Sequence, residues 1–369
     1  MRFVEMAGLG PTPFAAMVLA DLGARGLRIE SPRPGLALGE PMRDITRRGR
    51  ASVVVDVRRD EGRDLLLDLV AGADVLIEGF RPGVMERLGL SPEACWQRQP
   101  ALVYGRMTGW GQDGPWARSA GHDLDYIAIA GVLAHVARRG GPPTPPLNLV
   151  GDYGGGAMLL LVGVLAALWE AQRSGLGQVV DAAMVDGSAL LMSLFHSMSA
   201  QGMWDEEAGV NLLDSGAPFY DVYRTADGRW LAVACLEPAF YAEWLRIAGL
   251  DPAALPAQFD VTGWHEIRRA FTDVVVARTR DEWAHLVAGT DACVAPVLTM
   301  AEAPLHPHLA ARGTFVEVEG IIQAAPAPRF SRTPADLPGA ITATDASALR
   351  DWGVTEGQVQ DLRAADVIR

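Results

Sequence analysis

The sequence predicts an α/β protein in two parts, a large domain built on a parallel sheet and a smaller α+β domain. Three observations predict it. Short β-rich runs alternate with helix-length segments through the first half, the pattern of βαβ units. The alternation stops near Leu190, where a methionine-rich apolar stretch and a polar linker take over. Beyond the linker an Asp227-Gly228 turn joins two apolar runs, a strong hairpin signal. At 369 residues the chain also exceeds what one core of ordinary size accommodates.

Taken in order, Arg2–Met6 reads as a strand, Thr12–Leu22 as a helix and Gly26–Glu30 as the second strand. Ser52–Val57, Val75–Glu78 and Leu102–Met107 are further strands, with a helix over Arg59–Ala71. Asp152 precedes a long apolar helix over Gly154–Arg173, punctuated at its end by Gly175 and Gly177, and Gln178–Met184 supplies the next strand. Leu191–Trp204 reads as an apolar helix and Asp205–Ala217 as a linker. Phe219–Thr225 and Trp230–Cys235 form the hairpin, and helices around Phe240–Ala248, His265–Ala277 and Arg280–Ala288 complete the smaller domain. The expected divisions are 1–190 for the large domain, 191–217 for a linker helix and loop, and 218–325 for the small domain. A Pro-, Ala- and Thr-rich segment, 326–369, is expected to return over the surface of the large domain.

Composition excludes several functions. A formal net charge of −13 argues against a broad surface for nucleic acid or an anionic membrane. The chain holds no lysine, so Schiff-base chemistry and a lysine-bearing phosphate loop are out. Cys95, Cys235 and Cys293 lie far apart, as in a reduced cytoplasmic protein, and make neither a zinc spacing nor a disulfide framework. His306-Pro307-His308 has no partner at metal-ligand spacing, and no metal is expected. Met1–Met6 reads as a strand, not as a secretory signal. The most apolar stretch, Ala157–Trp169, is shorter than a bilayer crossing needs, and a buried helix is expected there.

Four motifs invite a chemical reading, and each has a plainer one. Gly8-Leu9-Gly10 sits between strand and helix, and Glu30 closes the second strand as a ribose-binding acid would. The third glycine of a dinucleotide fingerprint is missing, however, since Pro13 stands in its place, so a tight packing turn fits better than a nicotinamide site. The arginines at 43, 47, 48, 50, 58 and 59, followed by Arg81 and Arg87, are concentrated in an acidic chain. Guanidinium forks suit phosphate oxygens, and the alternative for any single arginine is a solvated ion pair. Gly121-His122-Asp123-Leu124-Asp125-Tyr126 places a histidine in a polar loop mouth. Gly151-Asp152-Tyr153-Gly154-Gly155-Gly156 places an acid at a helix start, where aspartate is a favoured cap. Its glycines would let a ligand approach, and free N–H groups there would stabilise an anionic oxygen. Met184, Met192, Met198 and Met203 read first as core, although methionine also suits a pocket for varied acyl chains.

With these segments in place the sequence resembles the class III CoA-transferase family, and within it the α-methylacyl-CoA racemases. The stretches that carry the resemblance include Val4–Gly8, Leu22–Ala24, Gly79-Phe80-Arg81-Pro82-Gly83, Arg87-Leu88-Gly89, Tyr104–Gln112 and Gly177–Asp181. The Gly121–Tyr126 stretch paired with Asp152 resembles the racemase branch in particular. The resemblance implies a Rossmann-like large domain, a small domain, and an interlocked homodimer with its active site at the subunit interface. It implies an acyl-CoA thioester as substrate, coenzyme A being part of that substrate and not a separate cofactor. Matching motifs place coenzyme A on Val55, Asp56, Val57, Arg58, Gly79, Phe80, Arg81, Arg87, Gly121, Asp123, Leu124, Asp125 and Tyr126. They place the acid–base pair on His122 and Asp152, with Glu237 orienting the histidine. Ser31 stands where close relatives carry an arginine against the nucleotide, and Arg33 lies two residues on.

The chemistry expected is inversion beside a thioester, which needs one base on each face of the α-carbon. A transferase of the same family would instead use Asp152 as a nucleophile, forming an acyl anhydride. A CoA-binding protein without activity would keep the arginines and need no His122–Asp152 pair. The histidine argues against the first rival and the pair against the second.

Overall fold

In a parallel sheet covered on both faces, successive side chains of each strand serve two different cores. The computed structural model, which describes residues 1–33, 35–36 and 39–369, is built on this rule. Strand β1 (Arg2–Met6) turns Phe3 to one face and Val4 to the other, both fully buried. It is followed by α1 (Pro11–Asp21), β2 (Arg25–Glu30), β3 (Arg50–Val54), α2 (Asp60–Ala71) and β4 (Val75–Glu78). Two short helices, α3 (Val84–Arg87) and α4 (Pro92–Trp96), lead to β5 (Val103–Thr108), and α5 spans Asp123–Ile129. A π-helix over Leu149–Ala157 runs directly into α6 (Met158–Ser174), then β6 (Val179–Ala183) and α7 (Met184–Leu191). The six strands are all parallel in the order β3-β2-β1-β4-β5-β6, the doubly wound arrangement expected.

One face of this sheet packs Leu27, Val53, Leu76 and Tyr104 against α2. It also takes up Ala346, Leu349, Val359, Val367 and Ile368. The segment after Pro326 therefore does not merely wrap the surface. It carries a helix, α13 (Glu356–Ala364), and Ile368 bridges antiparallel to Val55. The other face packs Phe3, Val75, Ile77 and Val103 against α1 and the inner side of α6.

The expected helix over Gly154–Arg173 is longer than its sequence suggested. With the π-helix it runs unbroken for 26 residues, Leu149–Ser174, long and apolar enough by length and composition to cross a membrane. It is buried on one side only. Leu160, Leu161, Val164 and Ala167 face the sheet, while Met158, Val162, Leu165 and Trp169 are exposed, Trp169 at 67%.

Two compact units emerge, residues 1–130, 146–192 and 310–369 in the first and 131–145 with 193–309 in the second. The expected Leu191–Trp204 helix is interrupted at Met192, and α8 (Ser193–Ala200) opens the main run of the second unit. That unit holds an antiparallel sheet of β7 (Tyr220–Arg224), β8 (Trp230–Ala234) and β9 (Val294–Pro296), with the hairpin turn where Asp227-Gly228 predicts it. Helices α9 (Pro238–Ala248), α10 (Trp264–Val275) and α11 (Arg280–Val287) cover it around Phe219, Trp244, Phe271 and Trp283, all fully buried. A further helix, α12 (Pro307–Arg312), precedes a hairpin of β10 (Phe315–Val318) and β11 (Ile321–Ala324).

Candidate active site

Strand order reverses between β1 and β4, and crevices for ligands in such sheets lie beyond the carboxyl ends of the strands at that point. The turns that follow these two strands contain Gly8–Gly10 and Gly79–Gly83. A Cβ on Gly79 would stand 2.5 Å from the Thr12 hydroxyl of α1, so only glycine lets the turn lie this close. Gly10 adopts φ 71° and borders Asp152, whose Oδ2 would be 3.1 Å from a Cβ placed there. The Gly-Leu-Gly turn thus packs α1 onto the sheet, as its sequence suggested, and gives the carboxylate room.

Asp152 is not the helix cap expected of it. It is the fourth residue of the π-helix, which starts at Leu149. The chain enters through Leu147 at φ 60°, a left-handed conformation costly for a side chain branched at Cγ. Asn148 then donates from Nδ2 to Asp152 Oδ2 at 3.0 Å. The Asp152 N–H donates to Asp123 Oδ1 at 2.7 Å and is not free to meet a substrate oxygen, which removes one of the donors expected at this helix start. Nor do the glycines that follow open a path for a ligand. A Cβ on Gly155 would lie 2.7 Å from the Ser188 nitrogen, and one on Gly187 would lie 1.9 Å from the Gly155 carbonyl oxygen. Gly156 is closed in by Met184 and Met107. These glycines let the π-helix and α7 touch backbone to backbone.

The Gly121–Tyr126 stretch is also more ordered than a loop. His122 is the residue before α5, extended at φ −134°, and its N–H donates to Asp125 Oδ2 at 2.9 Å. Its side chain is exposed. Asp123 points inward onto the Asp152 backbone and is buried, and Tyr126 is buried edge-on against Trp110 at 4.8 Å. The side chains of Asp123 and Tyr126 therefore build the site's floor and do not face a bound nucleotide; Leu124 and Asp125 are exposed and Gly121 half-buried. Burial raises the Asp152 pKa above the ordinary carboxylate range. The Asn148 hydrogen bond opposes this, the Asp123 charge adds to it, and His122 is near enough to pull it back. The acid and the imidazole thus share one site in the first unit. Glu237 stands exposed before α9 in the second unit.

The arginine cluster divides. Arg48 and Arg50 are buried in structural pairs, Arg48 with Asp21 at 2.5 Å and Arg50 with Glu5 at 2.7 Å, and Arg47 pairs with Glu30 at 2.8 Å. These three tie the sheet to its neighbours and are not phosphate ligands; a count of charges along the chain cannot see that their partners lie on other elements. Arg58 is exposed but forked onto Asp56 at 2.8 and 2.7 Å. That hydrogen bond, ahead of the weaker pull of Arg33, lowers the Asp56 pKa. Val55 is buried, Val57 half-buried, and the Asp56 N–H is taken by the Val367 carbonyl at 2.9 Å. Of the stretch 55–57 no free main-chain donor at Val55 or Asp56 faces a ligand, since the Val55 N–H is held by Glu30 O. Arg81 and Arg87 are exposed and, among the described residues, have no carboxylate partner. Asn148 is the contributor that sequence reading missed. It lies four residues before Asp152, a spacing that shares a helix face, and becomes visible once the helix is known to begin at Leu149.

A doubly wound sheet with a half-buried acid, an imidazole and unpaired guanidinium groups at its carboxyl edge defines an acid–base site suited to an anionic substrate. The chain belongs to CoA-transferase family III, whose model matches residues 1–343. Among its relatives is the α-methylacyl-CoA racemase of Mus musculus, 42% identical over all of this chain and 96% of the relative. The α-methylacyl-CoA racemase of Homo sapiens is 44% identical over 90% of this chain and 86% of its own length. A solved structure of a CaiB/BaiF family protein from Brucella suis superposes with a TM-score of 0.81 at 24% identity, covering 95% of this chain and 97% of that one, and speaks for the fold alone.

Proposed function

We propose that this protein interconverts (R)- and (S)-2-methylacyl-CoA thioesters, with His122 and Asp152 as the paired acid and base. The observation that carries the reading is identity of 42% and 44% with two racemases across nearly the full length of each chain. The geometry supports it. A carboxyl raised by burial can accept a proton and return it near neutral pH, and Asp123 fixes its backbone to the helix that begins after His122. One of the two removes the α-proton, the electron pair passes onto the thioester oxygen, and the conjugate acid of the other delivers a proton to the opposite face. Arg58, Arg81 and Arg87 would hold the phosphates of the coenzyme A portion, which does not change during the reaction. Glu237 would orient the imidazole, and proton transfer between two side chains calls for no metal or separate cofactor.

The same proposal includes a homodimer. Met158, Val162, Leu165 and Trp169 form a continuous exposed apolar stripe along α6, at the spacing of one helix face. A second copy interlocked with the first would cover it.

The test is a single 2-methylacyl-CoA stereoisomer in D₂O without an acceptor acid, followed by NMR. Deuterium should enter at the α-carbon as the stereocentre scrambles, and His122→Ala and Asp152→Asn should each lose most inversion. Coenzyme A exchange that needs a free carboxylic acid, with no α-deuterium, would instead establish the transferase route through an Asp152 anhydride.

A further inference from the structure

Several stretches singled out in the sequence have no part in the acid–base chemistry, namely Gly79–Gly83, Arg87–Gly89, Tyr104–Gln112 and Gly177–Asp181. The fold brings all of them to one buried guanidinium. Arg106, on β5, lies over the Tyr104 ring at 5.0 Å from its centroid. Its Nη2 donates to Glu86 Oε1 at 2.5 Å and its Nη1 to Gln112 Oε1 at 2.7 Å. Its Nε faces Glu78 Oε1 at 3.7 Å with no hydrogen-bond partner of its own. Glu78, at the end of β4, uses its other oxygen to accept the Phe80 N–H at 2.7 Å. The Gln112 N–H in turn reaches Asp181 on β6 at 3.0 Å.

Each carboxylate that Arg106 holds sits beside a candidate coenzyme A ligand. Glu78 shapes the Gly79–Arg81 turn through the Phe80 N–H, and Glu86 immediately precedes Arg87 on α3. Arg81 and Arg87 are long, exposed side chains, so where their guanidinium groups stand depends on the backbone that carries them. Burial raises the Glu78 carboxyl to about 7, against the pull of the Phe80 N–H and of Arg106. A buried cation between two acids on two different turns fixes those turns relative to each other, because an unpaired charge left there would be costly.

On the acyl-CoA reading above, we propose that Arg106 is a positioning residue. By gripping Glu78 and Glu86 together it sets the spacing of the Gly79–Arg81 turn and Arg87, and so the affinity for the coenzyme A portion of the substrate. It touches neither the α-carbon nor the acid–base pair. Positioned binding groups of this kind govern KM, since they act alike on ground and transition states.

The test compares wild type with Arg106→Met and with Glu86→Ala, which cuts only the outer arm at a partly exposed side chain. Calorimetry with coenzyme A alone reads binding, racemisation kinetics read KM and kcat, and thermal melts read folding. Both variants should weaken coenzyme A binding and raise KM about tenfold, the effect of one lost charge-assisted hydrogen bond. The value of kcat at saturation should stay within about twofold. A purely structural role would do the reverse, lowering the melting temperature and apparent kcat while the folded fraction binds with unchanged affinity. Wild-type affinity in Glu86→Ala, or lost kcat with unchanged KM in both, overturns the proposal. A wild-type protein that binds no coenzyme A refutes the acyl-CoA reading itself, and is told apart by that first titration.

Discussion

Replacing Gly187 by alanine tests whether backbone contact between α7 and the π-helix sets the position of Asp152. The added Cβ would stand 1.9 Å from the Gly155 carbonyl oxygen, 2.5 Å from its carbon and 2.7 Å from its Cα. All three are backbone atoms, so no side chain can swing aside. Ordinary contact begins near 3.4 Å, and the two elements must part by about 1.5 Å. Asp152 lies three residues before Gly155 on the same π-helix and moves with it. Displacement of a reacting group by about 1 Å costs on the order of 10²-fold in rate, and overpacking costs about 1–3 kcal/mol of stability. Gly187→Ala should therefore lose about two orders of magnitude in kcat for racemisation, measured by α-deuterium entry and inversion. Coenzyme A affinity should hold, since Arg58, Arg81 and Arg87 sit on other turns. Gly357→Ala is the control: a Cβ there meets nothing within 4 Å in α13, and activity should be unchanged. A Gly187→Ala enzyme that folds and keeps kcat within about threefold of wild type would refute the reasoning.

Two further outcomes follow from features of the same unit. Asn148→Ala removes the one donor seen on the Asp152 carboxylate; because that bond lowers a pKa already raised by burial, its loss should raise the pKa further. Where Asp152 is the base, the acid limb of the kcat profile should then move to higher pH, and a limb that stays in place would mean that Asn148 does not tune it. Trp169→Glu puts a charge in the apolar stripe on α6, and sedimentation at falling concentration should find monomer where wild type stays dimeric; a charged variant that remains a dimer places the interface elsewhere.

Strands β1 to β6 were legible because each is a short apolar run bounded by turn residues, and the all-parallel order follows from the helices between them. The residues of the acid–base pair were legible through motif, but their setting was not. Nothing before Leu149 resembles a helix cap, and Gly151 with Gly154–Gly156 reads as a loop until Gly187 is seen to lie against it. The arginines show the same limit from the opposite side. Arg48 and Arg50 look like their neighbours in sequence, and only the approach of Asp21 and Glu5 from other elements turns them into buried struts. The β10–β11 hairpin escaped because its turn uses Glu319 and Gly320, both at positive φ, where an Asn-Gly pair would have announced it.

The burial of Val367 and Ile368 has a consequence for how the protein is made. The Val367 carbonyl accepts from Asp56, and Ile368 is bridged to Val55, so the sheet begun by the first residues synthesised is closed by residues more than three hundred positions later. A nascent chain that has released everything up to β11 still has one face of that sheet exposed, with Leu349 and Val359 not yet in place. Contacts of such sequence separation are slow to form and leave apolar surface open meanwhile. The large unit is thus the last to be finished, although it is the first to be started. The hairpin-based unit of residues 193–309 has its whole main core in hand while the ribosome is still at work, apart from a loop that was made before it.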